Sequence, residues 1–256
     1  MSASEAGARE PPPRPGADVT TDPSAAQRVL ISYPKSGRTW FRYIFNLAGM
    51  DVEFTHAGGE GFGKEAQPRF DEVSARRGVF LHRNPIDASV SLFFHLNNFK
   101  FRPFTWRHAK ALIAGTLPPR DLRTFLSHPG FGVERACKYN RAWLDRLASS
   151  GKGVLIVRYE DMIAEPEATL SSVMRHYGRE QTIDIAALIE RASFEKMRAA
   201  EAAGGTDARD LKLGHKNRRD PDARKVRRGK VGGYRDYLSE AEQREFEAIC
   251  SRYDLT

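Results

Sequence analysis

Short apolar runs alternate with longer stretches of helical period along the chain. "RVLISY" (28–33) reads as a buried strand. "TWFRYIFNLAG" (39–49) reads as a helix, with Phe41, Ile44, Phe45 and Ala48 on one face and Gly49 as its stop. "DVEFTH" (51–56) and "GVFLHR" (78–83) read as strands, and "GVLIVRYED" (153–161) as a further buried strand. "NPIDASVSLFFHL" (84–96) predicts a helix with Asn84 as cap, Pro85 at the first position and Asp87 in the first turn. An amphipathic helix is predicted over 134–149, and further helices over 167–177, 183–198 and 239–252. There is no internal repeat.

Strands alternating with helices predict an α/β fold, a mostly parallel sheet flanked by helices on both faces. Ligands of such sheets sit at the carboxyl ends of the strands. Each predicted strand is followed by a polar cluster: PKSGRT, HAGGEG, RNPID and YED. A parallel sheet would gather these four at one edge and build one site from separate loops.

Composition modifies this picture at two places. Met1–Ala26 holds five of the fourteen prolines with no apolar periodicity, so it is expected to be a disordered tail before a single domain over 27–256. It lacks the apolar core of a secretory signal and is too acidic for a transit peptide. No apolar run approaches the ~20 residues of a membrane span. Cys137 and Cys250 have no metal or redox spacing, which suits buried thiols in the cytoplasm. The net charge is +8, and Lys212–Lys230 carries nine Lys/Arg against Asp220 and Asp222. Such a run is commonly a solvated face. Here it ends in "RRGKVGG", where glycines allow close approach of backbone to an anion.

Three segments carry chemistry. In "PKSGRTW" a strand enters a helix where the amides of Ser36, Gly37, Arg38 and Thr39 suit an anion, with Lys35 as a mobile charge. The lysine precedes the glycine, so the usual phosphate-loop order G-K-[ST] is absent. In "LHRNPIDASVS", Arg83 at a strand end and Ser91 two turns along the helix are placed to grip one phosphate. The third is "VRRGKVGGY". Each has a plainer reading: an ordinary strand–helix turn, an arginine paired with a carboxylate, a solvated basic run.

In order along the chain, "YPKSGRTW" resembles the 5′-phosphosulfate loop of the sulfotransferases that use 3′-phosphoadenosine 5′-phosphosulfate (PAPS), "RNPIDASVS" their 3′-phosphate motif, and "RRGKVGGY" their C-terminal RKG-x-x-GDW motif. "VRYEDM" (157–162) and "ASFEKM" (192–197) are similar to two further family segments. The resemblance runs from about Val29 to Phe246 and implies the family's phosphate-loop-kinase-like fold.

It also implies roles. Lys35, Ser36, Gly37, Arg38 and Thr39 would hold the 5′ end of PAPS. Arg83, Ser91, Arg227, Arg228 and Gly229 would hold the 3′-phosphate. Trp40, Tyr159 and Phe194 would contact the adenine, although without the resemblance plain core packing is the preferred reading of Trp40 and Phe194. Purines favour aromatic faces, and phosphates favour Arg forks and amides. The general base is expected at His56, which ends a strand where the loops converge and sits where the family has its "KTH" histidine. His82 is expected to pack within its strand and His95 to pack on its helix. Lys35 would balance charge on the bridging oxygen of the leaving adenosine 3′,5′-bisphosphate.

The chain departs from the family pattern at several positions. Phe54 replaces the lysine of KTH, Gly233-Tyr234 replaces Asp-Trp, and Arg38 stands where Thr is usual. "RDYLSEAEQR" does not match the family's dimer motif, so no oligomeric state is assigned. The expected reaction is transfer of a sulfuryl group from PAPS to a hydroxyl or amine of a small-molecule or carbohydrate acceptor, with no metal and no nucleic-acid or membrane partner. Gly58–Lys64, with Glu60, and the segment 95–131, with its aromatic–basic run "NFKFRPFTWRH", are candidates for the acceptor wall. Two other classes stay open at this point: a phosphate-loop nucleotide kinase, and a non-catalytic polyanion or nucleic-acid binder using 212–230.

Overall fold

The computed structural model describes residues 28–56, 77–97, 117–150, 153–203 and 229–255. The tail 1–26, the 58–64 segment, the 98–116 part of the second acceptor segment, and Arg227 and Arg228 lie outside these. Four strands form the described sheet: β1 (Arg28–Ser32), β2 (Glu53–Thr55), β3 (Arg77–His82) and β4 (Leu155–Arg158). Their order is β2-β1-β3-β4 and every pairing is parallel. The sheet is therefore the predicted one, with all four carboxyl ends at one edge.

Strand alternation divides the core between the two faces. Val29, Ile31 and Phe80 point to one side, into a cluster with Ile86, Val90, Phe125, Tyr139, Trp143 and Phe246. These belong to helices α2 (Pro85–Asn97), α3 (Leu122–Ser127), α4 (Val133–Ser150) and α9 (Glu240–Ser251). Leu30, Val79 and Leu81 point to the other side, against Phe41, Ile44 and Phe45 of α1 (Arg38–Leu47) and Leu170 and Val173 of α6 (Pro166–His176). The helix α3 has no counterpart in the sequence reading; its six residues are too few to display a period.

Two expectations are corrected. The segment 153–161 is not a buried strand. β4 spans four residues at the sheet edge, Ile156 is 44% exposed, and Tyr159 already begins helix α5 (Tyr159–Ala164). An edge strand has one neighbour, and a four-residue apolar run does not reveal which position it takes. The helix over 183–198 is broken into α7 (Ile185–Arg191) and α8 (Phe194–Ala203). Ser193 makes the break, its Oγ accepting from the Lys196 amide as an N-cap. No helix among the described residues is long and apolar enough to cross a membrane.

Candidate functional site

β1 runs into a tight loop, Tyr33–Gly37, before α1. Lys35 adopts φ 71° and Gly37 φ 102°, so two of its residues sit in the left-handed region. For a lysine that conformation costs about 1–2 kcal/mol. Gly37 is required for a second reason. A Cβ there would lie 2.5 Å from Cδ2 of Tyr159, the first residue of α5. The Ser36 amide donates to the Tyr33 carbonyl at 3.4 Å, so it closes the turn and is not among the outward-facing amides that the sequence suggested. The Ser36 side chain is fully buried, and its Oγ has no partner.

Arg83 follows β3 and crosses from this loop to the C-terminal one. Its Nη1 donates to the Lys35 carbonyl at 3.3 Å and its Nη2 to the Lys230 carbonyl at 3.2 Å. The guanidinium lies over the Tyr159 ring, 4.3 Å from its centre, and its Nε is buried without a partner. Burial raises the Tyr159 phenol above its ordinary value, and the neighbouring Arg83 opposes this. Asn84 caps α2 as expected, its Oδ1 accepting from the Ile86 and Asp87 amides.

Asp87 has a task that the sequence did not disclose. It is buried, and its two oxygens accept from the amides of Gly232 at 2.8 Å and Tyr234 at 3.0 Å. It thereby holds the glycine-rich loop 229–233 against the start of α2. Gly229 and Gly232 both have positive φ, and a Cβ on Gly229 would meet the Phe194 ring at 2.8 Å. Lys230 pairs with Asp236, Nζ to Oδ1 at 2.8 Å. Tyr234 is buried behind the loop and donates its hydroxyl to Glu247.

His56 ends β2. Its Nδ1 lies 2.9 Å from the Ser32 carbonyl. A carbonyl only accepts, so Nδ1 carries a proton, and in the neutral ring Nε2 carries the lone pair. Tyr139 donates its hydroxyl to the His56 carbonyl, fixing the backbone behind the ring. His82 behaves differently. It stacks on Phe80 at 5.9 Å, and burial, with help from Arg158, pushes it down to about 4. It packs, as expected. His95 was also expected to pack, but it faces the cavity described next.

These elements enclose a cavity of about 560 Å³, within the usual range for a small-molecule site. Of the residues singled out in the sequence, Lys35, Gly37, Arg38, Thr39, Trp40, His56, Arg83, Ser91, Tyr159, Phe194 and Gly229 all line it. Ser36 does not; it lies beneath the loop. Trp40 is fixed by its indole N–H, which donates to the Ala192 carbonyl at the end of α7, and by an edge contact with Tyr159. Arg42, Asp87, His95 and Lys230 also line the cavity without having been singled out as site residues. For Arg42 and His95 the signal was available as helical spacing, four residues beyond Arg38 and Ser91. Among the described residues no cluster of three His, Cys, Asp or Glu side chains is arranged to hold a metal.

The chain compares with known proteins in two ways. A crystal structure of mouse sulfotransferase SULT7A1 complexed with PAP is similar with a TM-score of 0.58 at 18% identity, covering 88% of this chain and 83% of that one. At that identity the likeness is one of fold. The family model for the sulfotransferase domain matches residues 73–253, well over half of the chain, starting downstream of the loop before α1. The chain therefore belongs to the sulfotransferase domain family.

Proposed function

We propose that the protein moves a sulfuryl group from PAPS to a hydroxyl or amine of an acceptor, releasing adenosine 3′,5′-bisphosphate. The observation that carries this reading is the convergence of both ends of the cradle. The loop before α1 and the loop 229–233 meet on one guanidinium, that of Arg83, with three aromatic residues between them and His56 at the same cavity. The PAP bound in the similar mouse structure points the same way.

The residues present fit such a donor. Arg83, which lines the cavity, has a buried Nε without a partner, and a group of this kind is costly to leave unsatisfied. The early α1 amides, Lys35, Arg38 and Thr39 would hold the 5′ phosphosulfate. Arg83 and Ser91, with the Gly229 backbone and with Arg227 and Arg228 from outside the described residues, would hold the 3′-phosphate. Trp40, Tyr159 and Phe194 would flank the base. PAPS supplies an activated sulfuryl group.

The protein supplies position and charge. Neutral His56 holds its lone pair on Nε2 because Nδ1–H donates to the Ser32 carbonyl, so it is set to accept the acceptor's proton. Lys35, which lines the cavity on a left-handed backbone, would supply positive charge to the leaving bisphosphate. In-line transfer of this kind depends chiefly on such positioning.

Thermal unfolding with adenosine 3′,5′-bisphosphate tests the donor half. The ligand is expected to raise the melting temperature, and Arg83→Ala to abolish the shift; a full shift in that variant would refute the 3′-phosphate assignment. His56→Ala should retain the shift and lose transfer by about 10²–10⁴-fold in a labelled-PAPS acceptor screen. Normal turnover by it would place the base elsewhere.

A further inference from the structure

Arg42 is a cation of the cavity that the donor reading does not use. It lies on α1 one turn beyond Arg38, and its guanidinium carbon sits 4.5 Å from the centre of the Phe54 ring. Phe54 is in β2, two residues before His56. Arg42 is half-buried, and this burial lowers its pKa from the ordinary guanidinium value. Among the described residues no carboxylate pairs with it. The described cavity wall carries Lys35, Arg38, Arg42, Arg83 and Lys230 against one carboxylate, Asp87. Both oxygens of Asp87 are already taken by the Gly232 and Tyr234 amides.

Topology separates Arg42 from Arg83 and Tyr159 of the nucleotide grip. The sheet order puts β2 at one edge and β3 and β4 on the far side of β1. Arg83 and Tyr159 follow β3 and β4, whereas Phe54 lies in β2 and His56 directly follows it. Arg42 thus stands on the side of the base, where the nucleophile must enter. A guanidinium held against an aromatic ring keeps its planar N–H edge for a partner, and that edge matches a carboxylate in two parallel hydrogen bonds.

We propose that Arg42 is a specificity residue that selects acceptors bearing a carboxylate close to the sulfated hydroxyl or amine. The proposal rests on the sulfuryl-transfer reading above and names its substrate class. The partly desolvated arginine accounts for the selectivity: it favours an anionic acceptor, while a neutral isostere leaves it unpaired.

Matched acceptors test this: 4-hydroxyphenylacetate against its methyl ester, and methyl glucuronide against methyl glucoside, each with PAPS. The wild type should favour the carboxylate member by about ten-fold or more in kcat/KM. Arg42→Gln should bring that ratio near one, and Arg42→Lys should leave an intermediate preference. All three proteins should keep the melting shift with adenosine 3′,5′-bisphosphate. If no probe is turned over, calorimetry of the same pairs on the protein–bisphosphate complex reads the preference directly. Equal or absent binding of both members, or a preference unchanged in Arg42→Gln, would overturn the proposal. Loss of the bisphosphate shift in Arg42→Gln alone would move Arg42 to the donor and overturn it equally. Absence of the shift in the wild type would instead sink the donor reading on which it stands.

Discussion

Gly37 combines φ 102° with a neighbour that leaves no room for a methyl group. Gly37→Ala should therefore cost about 1–3 kcal/mol and displace either the loop or Tyr159. Because Tyr159 carries the Arg83 guanidinium on its face, the variant should also lose most of its melting shift with adenosine 3′,5′-bisphosphate. Full retention of the shift in a folded variant would contradict this coupling. At this scale the sequence was informative where a residue has one possible use. A glycine between a lysine and a helix, or an asparagine before a proline, has a narrow set of roles. It was uninformative where a side chain reaches far. Asp87 read as a first-turn helix charge, yet besides Arg83, 3.6 Å away, its partners lie at 232 and 234. Ser36 read as an anion-binding amide, yet that amide closes the turn.

Among the elements, β3 has the most testable behaviour. It is a central strand carrying His82, which stays neutral in the folded state with a pKa pushed down to about 4. An unfolded histidine titrates near 6.5. Between these values the unfolded chain binds more protons, so stability rises with pH across that window and falls as pH drops from 6.5 to 4. The contribution is on the order of 2–3 kcal/mol. Denaturant titrations of the wild type should show this slope, and His82→Gln should flatten it; an unchanged slope would mean another group is responsible. The elements themselves were mostly legible because burial imposes a period. Ten-residue α1 shows its period clearly, and β1, buried at every position, reads as an unbroken apolar run between polar segments. β4 and α3 do not, since four or six residues hold too few repeats to mark an edge or a turn. The break at Ser193 was hidden for another reason: Ala192 and Ser193 are tolerated within helices, and only the indole of Trp40 reveals that the Ala192 carbonyl is directed elsewhere.

For the molecule as a whole, the useful prediction concerns the link between α2 and the loop 229–233. Asp87→Ala would leave the amides of Gly232 and Tyr234 without their acceptors, at about 1–3 kcal/mol each if they stay buried. The expected outcome is release of the loop. Amide hydrogen exchange at Gly232 and Tyr234 should accelerate, and bisphosphate affinity should fall by ten-fold or more while α2 stays protected. Unaltered exchange at those two amides would show that the loop is held by other contacts. The convergence of polar clusters at one sheet edge was foreseeable from alternation alone, because parallel strands must carry their loops to the same side. Which loops touch was not foreseeable, since nothing local ties Arg83 to both Lys35 and Lys230.

The anchoring of loop 229–233 on Asp87 has a consequence for biosynthesis. A ribosome releases this chain from its amino end, so the strands β1 to β4 and their loops emerge well before residues 229–234. Until then Asp87 has no amides to hold, and Arg83 lacks one of its two carbonyls. Hydrated and unclosed, the nascent cavity is a half-built cradle with little hold on a nucleotide. Competence to bind the proposed donor should therefore arrive only once residues 229–234 have emerged and closed against α2.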